Sequence, residues 1–135
     1  MNVLSGCITG IETGGAISIV EIASGGLSFT TLLVETPESC DYLMIGREVE
    51  ALFKETEVVI AKNLSGGISL RNRHSATINS LRYGGILCEI SLRSDAREVK
   101  SIITAQSAER LNLTAGDEVE WLVKANEISI RAPNE

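Results

Sequence analysis

The chain has 135 residues, of which 44% are hydrophobic and 22% charged, with 12 Gly and 2 Pro. That makeup excludes a disordered tail and fits one domain or two very small ones. The net charge of −6 and only five aromatic side chains argue against direct contact with nucleic acid, which needs cations and stacking platforms. Apolar runs are short, and Met1 to Gly6 has neither a basic n-region nor an apolar h-region, so the expectation is no membrane span, no secretion signal and a cytoplasmic location. Cys7, Cys40 and Cys88 are odd in number and form no CxxC pair; they read as buried thiols rather than a disulfide framework or zinc knuckle.

In chain order, alternating or β-branched runs at 3–11, 16–23 and 27–35 predict three strands, broken at Gly14-Gly15 and Gly25-Gly26. Thr36-Pro37-Glu38-Ser39 follows, with a capping residue before a proline, and predicts a short helix. Strands at 47–53 and 57–61 close the first half, after a break at Gly46. The second half repeats this order, with breaks at Gly84-Gly85, Ser94-Asp95 and Gly116 and a helix starting at Thr104.

The halves are copies. Gly46, Glu48, Val49, Glu50, Leu52, Lys54, Glu57 and Ile60 recur as Gly116, Glu118, Val119, Glu120, Leu122, Lys124, Glu127 and Ile130, an offset of 70. The offset falls to 68 in the middle, pairing Thr36 with Thr104 and Ser39 with Ser107, which marks insertions in loops. The expected repeats are 1–63 and 69–135 with a linker at about 64–68. The expected class is all-β, two tandem OB-like five-stranded barrels, each with one short helix. The whole −6 belongs to residues 1–65, which carry three basic and nine acidic side chains; residues 66–135 carry nine of each. Basic residues cluster at Arg71-Asn72-Arg73-His74, which makes the entry to the second repeat the expected place for an anion.

No enzyme pattern is present: His74 is the one histidine, no GxxxxGK[ST] loop occurs, and no nucleophile elbow or paired-carboxylate cleft is visible. What recurs is a set of hydrogen-bond donors: Ser69, Arg71 and Asn72 before the first strand of the second repeat, Thr104 and Ser107 at a helix start, and Lys124 before the last strand. Hydroxyls, a guanidinium and an ammonium suit a tetrahedral oxyanion. Each also has an ordinary explanation, as helix caps, strand-entry turns or solvated charges. Trp121 reads as core or interface packing and His74 as surface rather than ligand.

These segments resemble the Mop, or TOBE-type, molybdate-binding domain. Ser69-Leu70-Arg71-Asn72 is similar to that family's S-A-R-N opening, Tyr83-Gly84-Gly85-Ile86-Leu87-Cys88-Glu89-Ile90 to its G-A-V-N-A-E-V, and Val123-Lys124-Ala125-Asn126-Glu127-Ile128 to its I-K-A-S-x-V. Between them lie Ile103-Thr104-Ala105-Gln106-Ser107 and Leu111-Asn112-Leu113-Thr114-Ala115-Gly116, also in the family's pattern. The first repeat carries the Gly14-Gly15, Thr36-x-x-Ser39, Gly46 and Lys54 blocks more weakly. The resemblance implies a tandem protein that binds molybdate or tungstate for molybdenum storage and homeostasis, with sites at domain or subunit interfaces of a homo-oligomer, a trimer in preference to a dimer. It implies one half-site of Ser69, Arg71, Asn72, Lys124 and Ala125 and another of Thr104 and Ser107, with Thr36, Ser39 and Lys54 as weaker counterparts. Two alternatives stand beside it: the ligand-sensing part of a molybdate-responsive regulator, and an OB-type interaction module without ligand.

Charge supports the implied ligand. Molybdate near neutral pH is a dianion that only accepts hydrogen bonds, so a donor-only site fits it, whereas monohydrogen phosphate brings a proton that wants an acceptor. Sulfate has to be rejected by cavity size. The first repeat departs from the pattern: Met1 stands where Arg71 stands in the second, and Glu55 follows Lys54 where the pattern has a small residue, so like charge weakens any site there.

Overall fold

The computed structural model describes residues 1–133. It contains ten strands: β1 Asn2–Gly14, β2 Ile17–Ser24, β3 Leu27–Leu33, β4 Glu48–Phe53, β5 Val59–Ala61, β6 Asn72–Tyr83, β7 Leu87–Ser94, β8 Arg97–Thr104, β9 Glu118–Val123 and β10 Ser129–Arg131. One α-helix, α1, spans Ala105–Arg110, and 3-10 turns span Glu55–Glu57 and Ala125–Glu127. The strands form two curled five-stranded sheets, β10-β4-β1-β2-β3 and β5-β9-β6-β7-β8, with antiparallel pairing. The OB-like class expected from the sequence holds.

Strand alternation decides each inner face. In β2, Ser18, Val20, Ile22 and Ser24 are buried, and in β7 their counterparts Cys88, Ile90, Leu92 and Ser94. The long strands β1 and β6 each serve two partners. β1 pairs with β4 over Asn2–Cys7 and with β2 beyond it, with a bulge between Ile8 and Gly10; β6 repeats this with a bulge between Ile78 and Ser80. At each bulge a glycine closes the corner, Gly46 N donating to Ile8 O and Gly116 N to Ile78 O, both at 2.8 Å. Both glycines are left-handed (φ 88 and 92), where a side chain would be strained.

The compact units are divided differently from the repeats 1–63 and 69–135. One unit joins Met1–Phe53 to the segment from Lys124 onward; the other is Lys54–Val123. The terminal strand of each repeat is exchanged: β10 completes the sheet of β1–β4, and β5 that of β6–β9. The 3-10 turns lie at the crossings, between β4 and β5 and between β9 and β10, where the chain leaves one sheet for the other. The first unit packs Val20, Ile22, Phe29, Val49, Phe53, Ile128 and Ile130 in its core, with Phe29 and Phe53 rings 6.2 Å apart. The second packs Val58, Ile60, Ile78, Ile90, Leu92, Val99 and Trp121.

Three sequence expectations need correction. The segment 36–39 is not a helix: Ser39 N and Cys40 N both donate to Thr36 O (3.0 and 2.9 Å) and the turn stops there. Nine residues separate Thr36 from Gly46 against eleven between Thr104 and Gly116, too few for the same helix and the return to the bulge. Cys7 is half-buried, unlike Cys40 and Cys88. His74 is half-buried rather than on the surface, its ring 4.7 Å from that of Trp121. Trp121 itself is fully buried, its indole N–H donating to Ser94 Oγ at 3.0 Å.

Candidate functional site

Two of the expected donors meet directly. Thr104 ends β8 in an extended conformation (φ −69, ψ 145) and caps α1, its Oγ1 accepting from Ser107 N at 3.1 Å. The same Thr104 hydroxyl donates to Ser107 Oγ at 2.8 Å. Thr104 thereby spends its proton, and among the described residues the Ser107 hydroxyl hydrogen has no protein acceptor. The pair lines a groove of about 440 Å³ floored by Ile102, Ile103 and Leu111. Sequence reasoning passed over two polar neighbours in that groove, Thr56 and Arg110. The signal for Arg110 was its spacing: three residues beyond Ser107 on α1, it shares that helix face. For Thr56 there was none, because it enters through the exchanged segment.

The entry to the second repeat is less uniform than its composition suggests. Ser69 and Arg71 are exposed, but Asn72 is 1% exposed and its Nδ2 donates to Val123 O at 3.0 Å, so its amide ties β6 to β9. Arg73 is held in a two-pronged pair with Glu120 and also donates to Leu64 O at 3.3 Å. Lys62 is likewise occupied, donating to Asn112 O (2.9 Å) and Asp117 Oδ2 (3.1 Å). These contacts tie the chain on either side of 64–68 to its own unit.

The lysines head equivalent turns. Lys124 precedes Ala125–Glu127 and accepts from Glu127 N at 2.9 Å through its carbonyl; Lys54 precedes Glu55–Glu57 and does the same at 3.0 Å. Both side chains are exposed, and among the described residues neither ammonium has an ion-pair partner. Ala125 is half-buried. The exchange assigns Lys54 to the unit that holds Ser69, Arg71, Asn72, Thr104 and Ser107, and Lys124 and Ala125 to the unit that holds Thr36 and Ser39.

Thr36 and Ser39 reproduce the spacing of Thr104 and Ser107 but not their bonding. Ser39 Oγ accepts from Thr36 N at 2.9 Å and donates to Thr36 O at 3.2 Å, so its proton is consumed by the backbone. The adjoining hollow, about 250 Å³, is lined by Thr36 and by Glu38, a carboxylate that repels an anion. Among the described residues no group of three or more His, Cys, Asp or Glu side chains is placed to hold a metal ion. No described helix is long and apolar enough to cross a membrane.

Residues 68–130 match the TOBE domain family. That span is 63 of the 135 residues. Along 98% of its length it is 30% identical to the molybdenum-pterin-binding protein MopA of Rhodobacter capsulatus, covering 51% of that protein. Over 69 residues it is 38% identical to the molybdenum transport protein ModE of Azotobacter vinelandii, half of this chain and 26% of ModE. The chain thus spans about half the length, or less, of these curated relatives. Its fold matches that of the cytoplasmic molybdate-binding protein ModG in a molybdate-bound form, with a TM-score of 0.91, 24% identity and coverage of 98% of this chain and 96% of that one. The resemblance to tandem Mop-type proteins is borne out. The Thr104–Ser107 pair and the segment from Ser69 to Asn72 both fall inside the matched span, residues 68–130.

Proposed function

We propose that this chain binds molybdate or tungstate as the intact oxyanion, in the cytoplasm, for molybdenum storage and homeostasis, without a catalytic step. The observation that carries this reading is the Thr104–Ser107 hydroxyl pair, which leaves one O–H uncommitted in a groove shared with Arg110 and lined, among the described residues, by no carboxylate. A fully ionised dianion accepts from such a group, and nothing on the groove wall asks it to donate. The molybdenum-linked relatives and the TOBE match support the same ligand.

Ser69, Arg71, Thr104 and Ser107 are the donors of one unit, and Lys124 with the Ala125 amide those of the other. A half-site of this kind is completed by a neighbouring copy of the chain, in a trimer by preference or a dimer. Asn72 holds the start of the strand that Arg71 precedes, through its bond to Val123 O. Thr36, Ser39 and Lys54 form the weaker set.

The test is thermal unfolding with sodium molybdate, sulfate or phosphate at equal ionic strength. A ligand present at 100 times its dissociation constant adds about 2.7 kcal/mol to stability, so molybdate raises Tm by several degrees while phosphate leaves it unchanged. Equal shifts with all three anions would overturn the reading.

A further inference from the structure

Two buried hydroxyls occupy equivalent places in the two units. Thr31 in β3 and Ser101 in β8 stand 70 residues apart, and both are 0% exposed. Thr31 Oγ1 donates to Ile128 O. Ser101 Oγ donates to Val58 O at 2.8 Å. Ile128 is the residue that ends the 3-10 turn headed by Lys124, and Val58 ends the turn headed by Lys54. Each hydroxyl therefore grips the turn that carries a lysine, from the sheet into which that turn's strand has been exchanged.

We infer that Thr31 and Ser101 are positioning residues, fixing the Lys124 and Lys54 turns for anion binding; this rests on the oxyanion reading above. The strands that follow the turns, β10 and β5, have three residues each, so their ladders hold the turns through few backbone bonds. A 3-10 turn is a single turn with poor internal hydrogen bonding. Without the clasp, the lysine and the first amide of its turn sample a wider range of positions, and binding then has to order them. Neither hydroxyl reaches the anion. They act through the carbonyl at the far end of the turn, which distinguishes them from Ser107.

The experiment is calorimetric titration with sodium molybdate of the full chain as wild type, Thr31→Val, Thr31→Ser, Lys124→Ala and the Thr31→Val/Lys124→Ala double variant. Valine keeps the shape of threonine and removes the donor. The expected results are about tenfold weaker binding for Thr31→Val and recovery to within about twofold for Thr31→Ser. In the Lys124→Ala background Thr31→Val adds less than about twofold, because the two side chains act through one turn. Wild-type affinity in Thr31→Val, or an undiminished loss in the Lys124→Ala background, overturns the inference and leaves the oxyanion reading intact. No binding by the folded wild type overturns both. Should Thr31→Val not fold, Ser101→Ala with and without Lys54→Ala gives the same comparison, and a loss that persists without Lys54 counts against the clasp.

Discussion

Ile130 lies opposite Ala51 in the ladder of β10 and β4, as Ile60 lies opposite Trp121 in that of β5 and β9. Both isoleucines are buried, at 8% and 7% exposure. A carboxylate at either place loses hydration without gaining a partner, at a cost of several kcal/mol. Ile130→Asp is expected to abolish amide-exchange protection in residues 2–53 and spare 72–123, although Ile130 belongs to the second repeat. Ile60→Asp gives the converse. Loss of protection in 72–123 on replacing Ile130 would contradict the exchange of strands.

Ala96 holds a left-handed conformation (φ 61) in the turn between β7 and β8, where the first repeat has Gly25-Gly26. Alanine pays about 1–2 kcal/mol there, and glycine costs about 0.5–1 kcal/mol through the freedom of the unfolded chain. The first exceeds the second, so Ala96→Gly raises stability by up to about 1 kcal/mol. A denaturant midpoint at or below that of the wild type refutes this.

Burial lowers the pKa of His74 below 6.5, and its ring lies against the buried Trp121. The folded chain thus prefers the neutral ring, while the unfolded chain takes up a proton at the ordinary pKa. At pH 8 both states are neutral and the residue is silent; as pH falls below 6.5 the unfolded state binds more protons and stability declines. His74→Phe, which keeps the ring contact, is expected to flatten the stability profile between about pH 5 and 7. An unchanged slope in denaturant unfolding across that window counts against the assignment.

The hydroxyl bonding separates Ser107 from Ser39. Ser107→Ala is expected to weaken molybdate binding by about tenfold, the loss of one charge-assisted hydrogen bond of about 1.5 kcal/mol. Ser39→Ala is expected to leave the affinity within about twofold, since its proton is held by Thr36 O. Equal losses in a competition assay would show that the first repeat binds as well as the second.

What could be read before the structure follows from what sequence records. Alternating and β-branched runs predicted strands at 16–23 and 27–35, where β2 and β3 lie, and the offset of 70 aligned the two bulge glycines, because strand periodicity and backbone sign leave marks on residue type. The exchange left no such mark: Ile60 and Ile130 are equally apolar in either sheet, and a 3-10 turn sets direction without a signature. The helix expected at 36–39 had a proper cap and proline, and lost to a segment two residues too short. For the site, spacing found Thr104 with Ser107. It could not show that Asn72 donates to Val123 O, that Ser39 gives its proton to Thr36 O, or that Thr31 and Ser101 grip carbonyls 97 and 43 residues away, since each depends on where a carbonyl comes to rest.

The most direct measurement is calorimetric titration of the full chain with molybdate, against sulfate and phosphate, on the wild type and on Arg71→Ala/Lys124→Ala. The account predicts saturable binding of molybdate by the wild type, none of phosphate, and its loss in the double variant with the fold retained. Phosphate binding as tight as molybdate, or a folded wild type that binds no anion, would contradict a donor-only oxyanion site and leave the chain an OB-type interaction module.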